Sequence, residues 1–75
     1  MYDFAKLINN ARPMGYKDEG SERQIDAECE LHDALLDHYG KDLVVYWINK
    51  VEMCRMTPDE SLNFLADELK SGDWK

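Results

Sequence analysis

The chain has 75 residues, a formal charge of −7, 44% apolar and 33% charged side chains, and two Trp, four Tyr and two Phe. That size predicts one domain over residues 1–75 with a core supplying only about 3–5 kcal/mol of net stability, and the composition excludes a disordered, low-hydrophobicity tail. The negative charge argues against direct binding to nucleic acid or an anionic membrane surface, and the longest apolar run, Leu43 to Ile48, is far short of the ~18 residues that span a bilayer.

Two cysteines without a basic and apolar leader predict a reduced, cytoplasmic protein, because small secreted domains are usually rich in disulfides. The acidity is uneven. Residues 21–40 carry −5 and residues 57–75 carry −3, while the remaining segments are close to neutral.

Phe4, Leu7, Ile8 and Ala11 recur at i, i+3, i+4, i+7, which predicts a helix over about 3–11 with Asp3 as its cap. Pro13 ends it, since the residue before a proline is driven out of the α region. Arg12 to Gly20 reads as a solvated loop in which Met14 and Tyr16 are the exceptions, expected to fold back on the core rather than stand out as contacts.

Ser21 and Gln24 are spaced as a capping box, and Gly40 suits the left-handed end of a helix, so a helix is expected over about 22–39. At 100° per residue its buried stripe is predicted as Ile25, Cys29, His32, Leu36 and Tyr39, with Leu31 and Leu35 to one side. Glu22, Asp26, Glu30, Asp33 and Asp37 form a second row uninterrupted by lysine. Like charges at this spacing oppose an isolated helix by ~0.2–0.5 kcal/mol per pair. The row reads either as a solvated face that aids solubility or as a face held for a basic partner.

Lys41 and Asp42 are expected to link this helix to an antiparallel neighbour. The segment that follows, from Leu43, is rich in strand-favouring side chains. Its period decides for a helix over about 43–55: Leu43, Val44, Trp47, Ile48, Val51 and Cys54 share one arc, Asp42 is the expected cap, and Tyr46 and Met53 point away from that arc. Thr57-Pro58-Asp59-Glu60 combines a cap, a proline at the first helical position and early acids, which starts a helix over about 58–70. Leu62, Leu65, Ala66 and Leu69 make its buried stripe, Phe64 projects nearly opposite it as a candidate exposed anchor or as a side chain packed against the first helix or a second subunit, and Trp74 is either a lid on the core or a sticky tail.

Chemistry-bearing motifs are few. Cys29, His32, His38 and Cys54 are zinc-ligand types, but the paired short spacings of a zinc site are missing, so no metal is expected and the cysteines read as buried thiols beside a core-edge histidine. No glycine-rich phosphate loop, nucleophile elbow or H-E-x-x-H occurs, which argues against an enzyme and against a bound cofactor. A helix-turn-helix reading of the Gly40 turn fails because the following helix begins Leu-Val-Val-Tyr-Trp, where base-reading polar side chains would be needed. Imitation of a phosphate backbone would need the row of the second helix and Asp59, Glu60, Asp67, Glu68 and Asp73 on one side of the fold.

The expected molecule is therefore a small all-α, four-helix domain, a bundle or an orthogonal array. Its expected role is that of a non-enzymatic acidic binding protein, an inhibitor or regulator that engages a basic surface of a protein partner. The size and charge suit a viral or plasmid accessory protein that blocks a nucleic-acid-handling protein. The candidate partner-binding residues are Glu22, Asp26, Glu30, Asp33, Asp37, Tyr46, Met53, Phe64 and Trp74. The competing expectation is a structural homo-oligomer or homodimer, or a small subunit of a larger complex, in which Tyr46, Met53, Phe64 or Trp74 bury against another chain.

Overall fold

A computed structural model describes residues 2–72 and Trp74, apart from the side chain of Tyr16. Four helices follow one another, α1 (Phe4–Ala11), α2 (Glu22–His38), α3 (Lys41–Cys54) and α4 (Pro58–Ser71), with a single 3₁₀ turn at Tyr16–Asp18 and no strand among the described residues. The apolar run from Leu43 to Ile48 is thus helical, as its period indicates.

Side-chain caps set three of the four helix starts. Asp3 accepts the Lys6 N–H at the head of α1. Thr57 and Glu60 form the reciprocal capping box of α4, with Pro58 at the first helical position. Ser21 accepts the Gln24 N–H, but Gln24 does not return the bond to Ser21: its Oε1 accepts from the Gly20 N–H at 3.2 Å and its Nε2 donates to the Ala11 carbonyl at 3.1 Å. The Ser21 N–H is already taken by the Asp18 carbonyl, so the Gln24 amide is left to tie α2 to the end of α1.

Between α2 and α3 the expected Lys41-Asp42 link is shorter still. Tyr39 and Gly40 alone make the turn, Gly40 at a φ of 88° that favours glycine, and α3 begins at Lys41 without a side-chain cap. Asp42 lies inside the first turn, where its carboxylate faces the positive end of the helix dipole.

The helices close a ring in chain order: α2 packs against α1 and α3, and α4 packs against α3 and α1. The molecule measures 35 × 29 × 18 Å, two helix layers thick in its shortest direction. Ile8 and Ala11 of α1, Leu31 and Leu35 of α2, Leu43, Val44 and Trp47 of α3, and Leu62 and Leu65 of α4 meet in one core. Trp47, 5% exposed, resolves its one polar atom by donating from Nε1 to the Ser61 carbonyl at 2.9 Å.

Helix α2 is rotated from its expected setting by roughly one residue, about 100° on a helical wheel. Its inward row is Gln24, Leu31, Ala34 and Leu35, whereas Ile25 and Leu36 are 48% and 45% exposed and Cys29 is exposed as well. Two features select this setting. The Gln24 amide must face Ala11 to make its buried bond, and Ala27 and Ala34 are small enough to let neighbouring helices come close. On α3 the outer part of the expected arc also opens to solvent, at Ile48 and Cys54. Both cysteines are therefore exposed and free, which corrects their reading as buried thiols.

The loop from Arg12 to Gly20 is fastened by polar groups. Arg23 donates to the carbonyls of Asn10 and Arg12 and pairs with Asp18, which also accepts from the Ser21 hydroxyl and the Met14 N–H. These donors hold the Asp18 carboxyl well below the usual carboxylate range, the Arg23 guanidinium being the largest cause. Arg12 reaches across to Asn63 at 2.7 Å and Asp59 at 3.4 Å on α4. Met14 does not fold back on the core; it is 82% exposed. Nothing apolar holds it, since the loop is fixed through Asp18. The expectation for the Tyr16 side chain lies outside the described residues.

Candidate interaction surface

Helix α2 carries the acidic row as expected from its spacing. Glu22, Asp26, Glu30, Asp33 and Asp37 are all exposed, and among the described residues none forms an ion pair. Arg23, which adjoins Glu22, is committed to Asp18 and to the Asn10 and Arg12 carbonyls, and neither Lys17 nor Lys41, the lysines that flank the row in sequence, forms an ion pair with it. Among the described residues Asp37 is the member of the row whose side chain has a hydrogen bond, accepting the Tyr2 hydroxyl at 2.6 Å. That bond to a carboxylate raises the Tyr2 phenol above its ordinary value.

The acids of α4 are differently placed. Glu60 closes the capping box, Asp59 pairs with Arg12, and Glu68 accepts the Trp74 indole N–H at 3.1 Å. Asp67 is exposed, and Asp73 lies outside the described residues. Helices α2 and α4 each pack on α1 and α3, and three of the four described α4 acids are engaged within the fold, unlike most of the row on α2.

The aromatic candidates come together instead of standing out. The rings of Tyr46 and Phe64 are 6.0 Å apart, those of Tyr46 and Trp74 are 5.6 Å apart, and the Lys50 ammonium sits 5.7 Å from the Tyr46 ring centre. All three aromatic residues are half-buried, with Phe64 and Trp74 packed against the core. Phe64 is therefore not an exposed anchor, and Tyr46 is not turned free of the fold. A wheel drawn for one helix has no way to register that α4 brings Phe64 across to α3, or that Trp74 folds onto the same seam. Met53 does stand free, 72% exposed.

A surface that the sequence reading assigned to the core lies beside the acidic row. His32, Ile25, Leu36 and Cys29 fall within about 60° on one side of α2, and the three last named are exposed. Next to them, between α2 and α3 and reaching Ser61 of α4, runs an open groove of about 200 Å³ lined by Glu28, His32, Trp47, Ile48, Val51, Glu52 and Ser61. The His32 ring stands edge-on to Trp47, with centres 5.2 Å apart. The signal for this surface was present as a surplus: α2 has more apolar positions than one buried stripe holds.

Other chemistry is sparse. Among the described residues no three His, Cys, Asp or Glu side chains are grouped to hold a metal ion, and no helix is long and apolar enough to cross a membrane. Compared with models of known protein families, with curated proteins and with solved structures, the chain matches none.

Proposed function

We propose that this protein is a non-enzymatic binding module that engages a basic surface of a protein partner through the outer face of α2. The observation that carries the reading is the run of exposed carboxylates Glu22, Asp26, Glu30 and Asp33, which among the described residues have no cation to neutralise them. Holding like charges at i, i+4 costs about 0.2–0.5 kcal/mol per pair, and a complementary partner recovers that cost on docking while speeding encounter. An inhibitor or regulator acting by occlusion needs no more than such a face, and a blocker of a nucleic-acid-handling protein is one member of that class. Two free, exposed cysteines fit a reducing compartment such as the cytoplasm.

The test is capture from the native cell or its host, followed by salt titration of the purified pair. Affinity is expected to fall steeply between low and high ionic strength and to be lost in the triple variant Asp26→Asn, Glu30→Gln, Asp33→Asn. Undiminished capture by that variant removes the acidic face from the account.

A homo-oligomer is the second reading, favoured by the exposed apolar side chains Ile25, Leu36, Val45, Ile48 and Met53. It predicts thermal stability that rises with protein concentration and changes little with salt.

A further inference from the structure

We infer that the groove between α2 and α3 is a docking site for a basic amphipathic helix of the partner, whose apolar side chains seat on Ile48 and Val51 and whose Lys or Arg side chains reach Glu28 and Glu52. The inference rests on the reading of the protein as an acidic binding module and assigns the contact to a defined place beside the charged row.

Four observations lead to this occupant. The groove is an open channel of about 200 Å³ whose floor is Trp47, Ile48 and Val51, so it takes apolar side chains. The Trp47 indole N–H is already used by the Ser61 carbonyl, so Trp47 brings no unpaired donor to the channel. The apolar surface does not stop at the groove: His32 shares one face of α2 with the exposed Ile25, Cys29 and Leu36, and Ile48 shares a face of α3 with the exposed Val45 at i−3. A helix laid along the groove thereby gains the spaced apolar contacts that helix-in-groove recognition uses.

Charge selects the partner's sign. Glu28 and Glu52 line the channel from α2 and α3, and neither forms an ion pair among the described residues. No Lys or Arg lines it. Beyond Ile25 and Leu36 on the same side of α2 lie Glu22, Asp26 and Asp33. A second copy of this chain would bring a like-charged border against this one, whereas a basic helix meets complementary charge on both sides of its apolar stripe. Arg suits such a site because its planar fork pairs with a carboxylate through two bonds.

The experiment uses the whole chain and a fluorescein-labelled synthetic helix with Leu on one face and Arg on the other, read by anisotropy at low salt. A control peptide has the same composition, rearranged so that no face is apolar. The amphipathic peptide is expected to bind at least tenfold more tightly than the control and to shift the Trp47 indole and Ile48 methyl resonances. Ile48→Ser and the pair Glu28→Gln, Glu52→Gln should each weaken it about tenfold, with unchanged circular dichroism. If the triple variant of the acidic row abolishes binding while the groove variants do not, the groove inference falls and the acidic-face reading stands. If the groove variants lose binding and the row variant keeps it, the groove stands and the row reading falls. Equal binding of the two peptides, no binding of either, or a dimer in sedimentation that Ile48→Ser dissociates each overturns the groove as a site for a basic helix.

Discussion

The outer face of α2 and the seam between α3 and α4 were both marked by sequence as places a partner would touch, and folding treats them in opposite ways. On α2 the five carboxylates stay in water. Along the seam Tyr46, Phe64 and Trp74 close on one another. Rings that come within reach gain by covering each other's apolar surface, so a neighbouring helix readily removes an exposed aromatic from view. Carboxylates lack that option: they repel, and a chain with nine Lys and Arg against sixteen Asp and Glu has too few cations to pair them all. In this protein an expected charged surface is thus more robust to folding than an expected aromatic one.

The sharpest way to break the comparison is at the core that both regions share. Trp47→Ala removes a buried indole and its bond to Ser61 and should cost about 3–5 kcal/mol, enough to unfold most of a domain this small; urea melts of the variant read it directly. Gln24→Ala should cost about 1–3 kcal/mol by leaving the Ala11 carbonyl unpaired in the interior, measured as a lower urea midpoint at unchanged slope. That loss would show the Gln24 amide to be a tie between α1 and α2 that contributes to stability.

The two regions themselves should respond with opposite signs. Tyr46→Ala opens the aromatic seam and is expected to destabilise by about 0.5–1.5 kcal/mol in lost ring contacts, with a further loss from reduced burial. Asp33→Asn, which relieves repulsion with Glu30 and Asp37, should stabilise by a few tenths of a kcal/mol while weakening partner capture. A thermal scan beside a binding measurement separates the two; an aspartate whose loss destabilises the fold would instead belong to its architecture.

The last effect is the pH dependence that Asp18 contributes, which lies in the acid range and not near neutrality. Its carboxyl is held low because the charged form accepts from Arg23, Ser21 and Met14. The unfolded chain therefore binds the proton first. The stabilising contribution is fully present above the ordinary aspartate value of about 3.9 and declines as pH falls from there toward the depressed folded value. In acid titrations followed by circular dichroism, Asp18→Asn should flatten the stability loss below about pH 4 and leave the region near neutrality without this pH dependence.

Much of the fold was legible because its signals are local. Thr57 with Glu60, Asp3 and Ser21 cap their helices through side chains a few residues away, and the 3.6-residue period of Leu43, Val44 and Trp47 overrides their strand preference. The setting of α2 was not legible. Two overlapping apolar stripes, one through Leu31 and Leu35 and one through Ile25 and Leu36, satisfy the same periodicity. The choice between them depends on where Ala11 lies, thirteen residues earlier in the chain.

The amino-acid sequence alone therefore determined that there are four helices, where the three with side-chain caps begin, and that one of them wears an uninterrupted row of acids, since caps, period and charge order act within one or two helical turns. Only the tertiary structure decided which stripe of α2 faces inward, that Tyr46, Phe64 and Trp74 cover one another, and that an apolar groove with acidic walls opens between α2 and α3. These depend on how far each helix is rotated against its neighbours, and that rotation is set by contacts between residues distant in the chain.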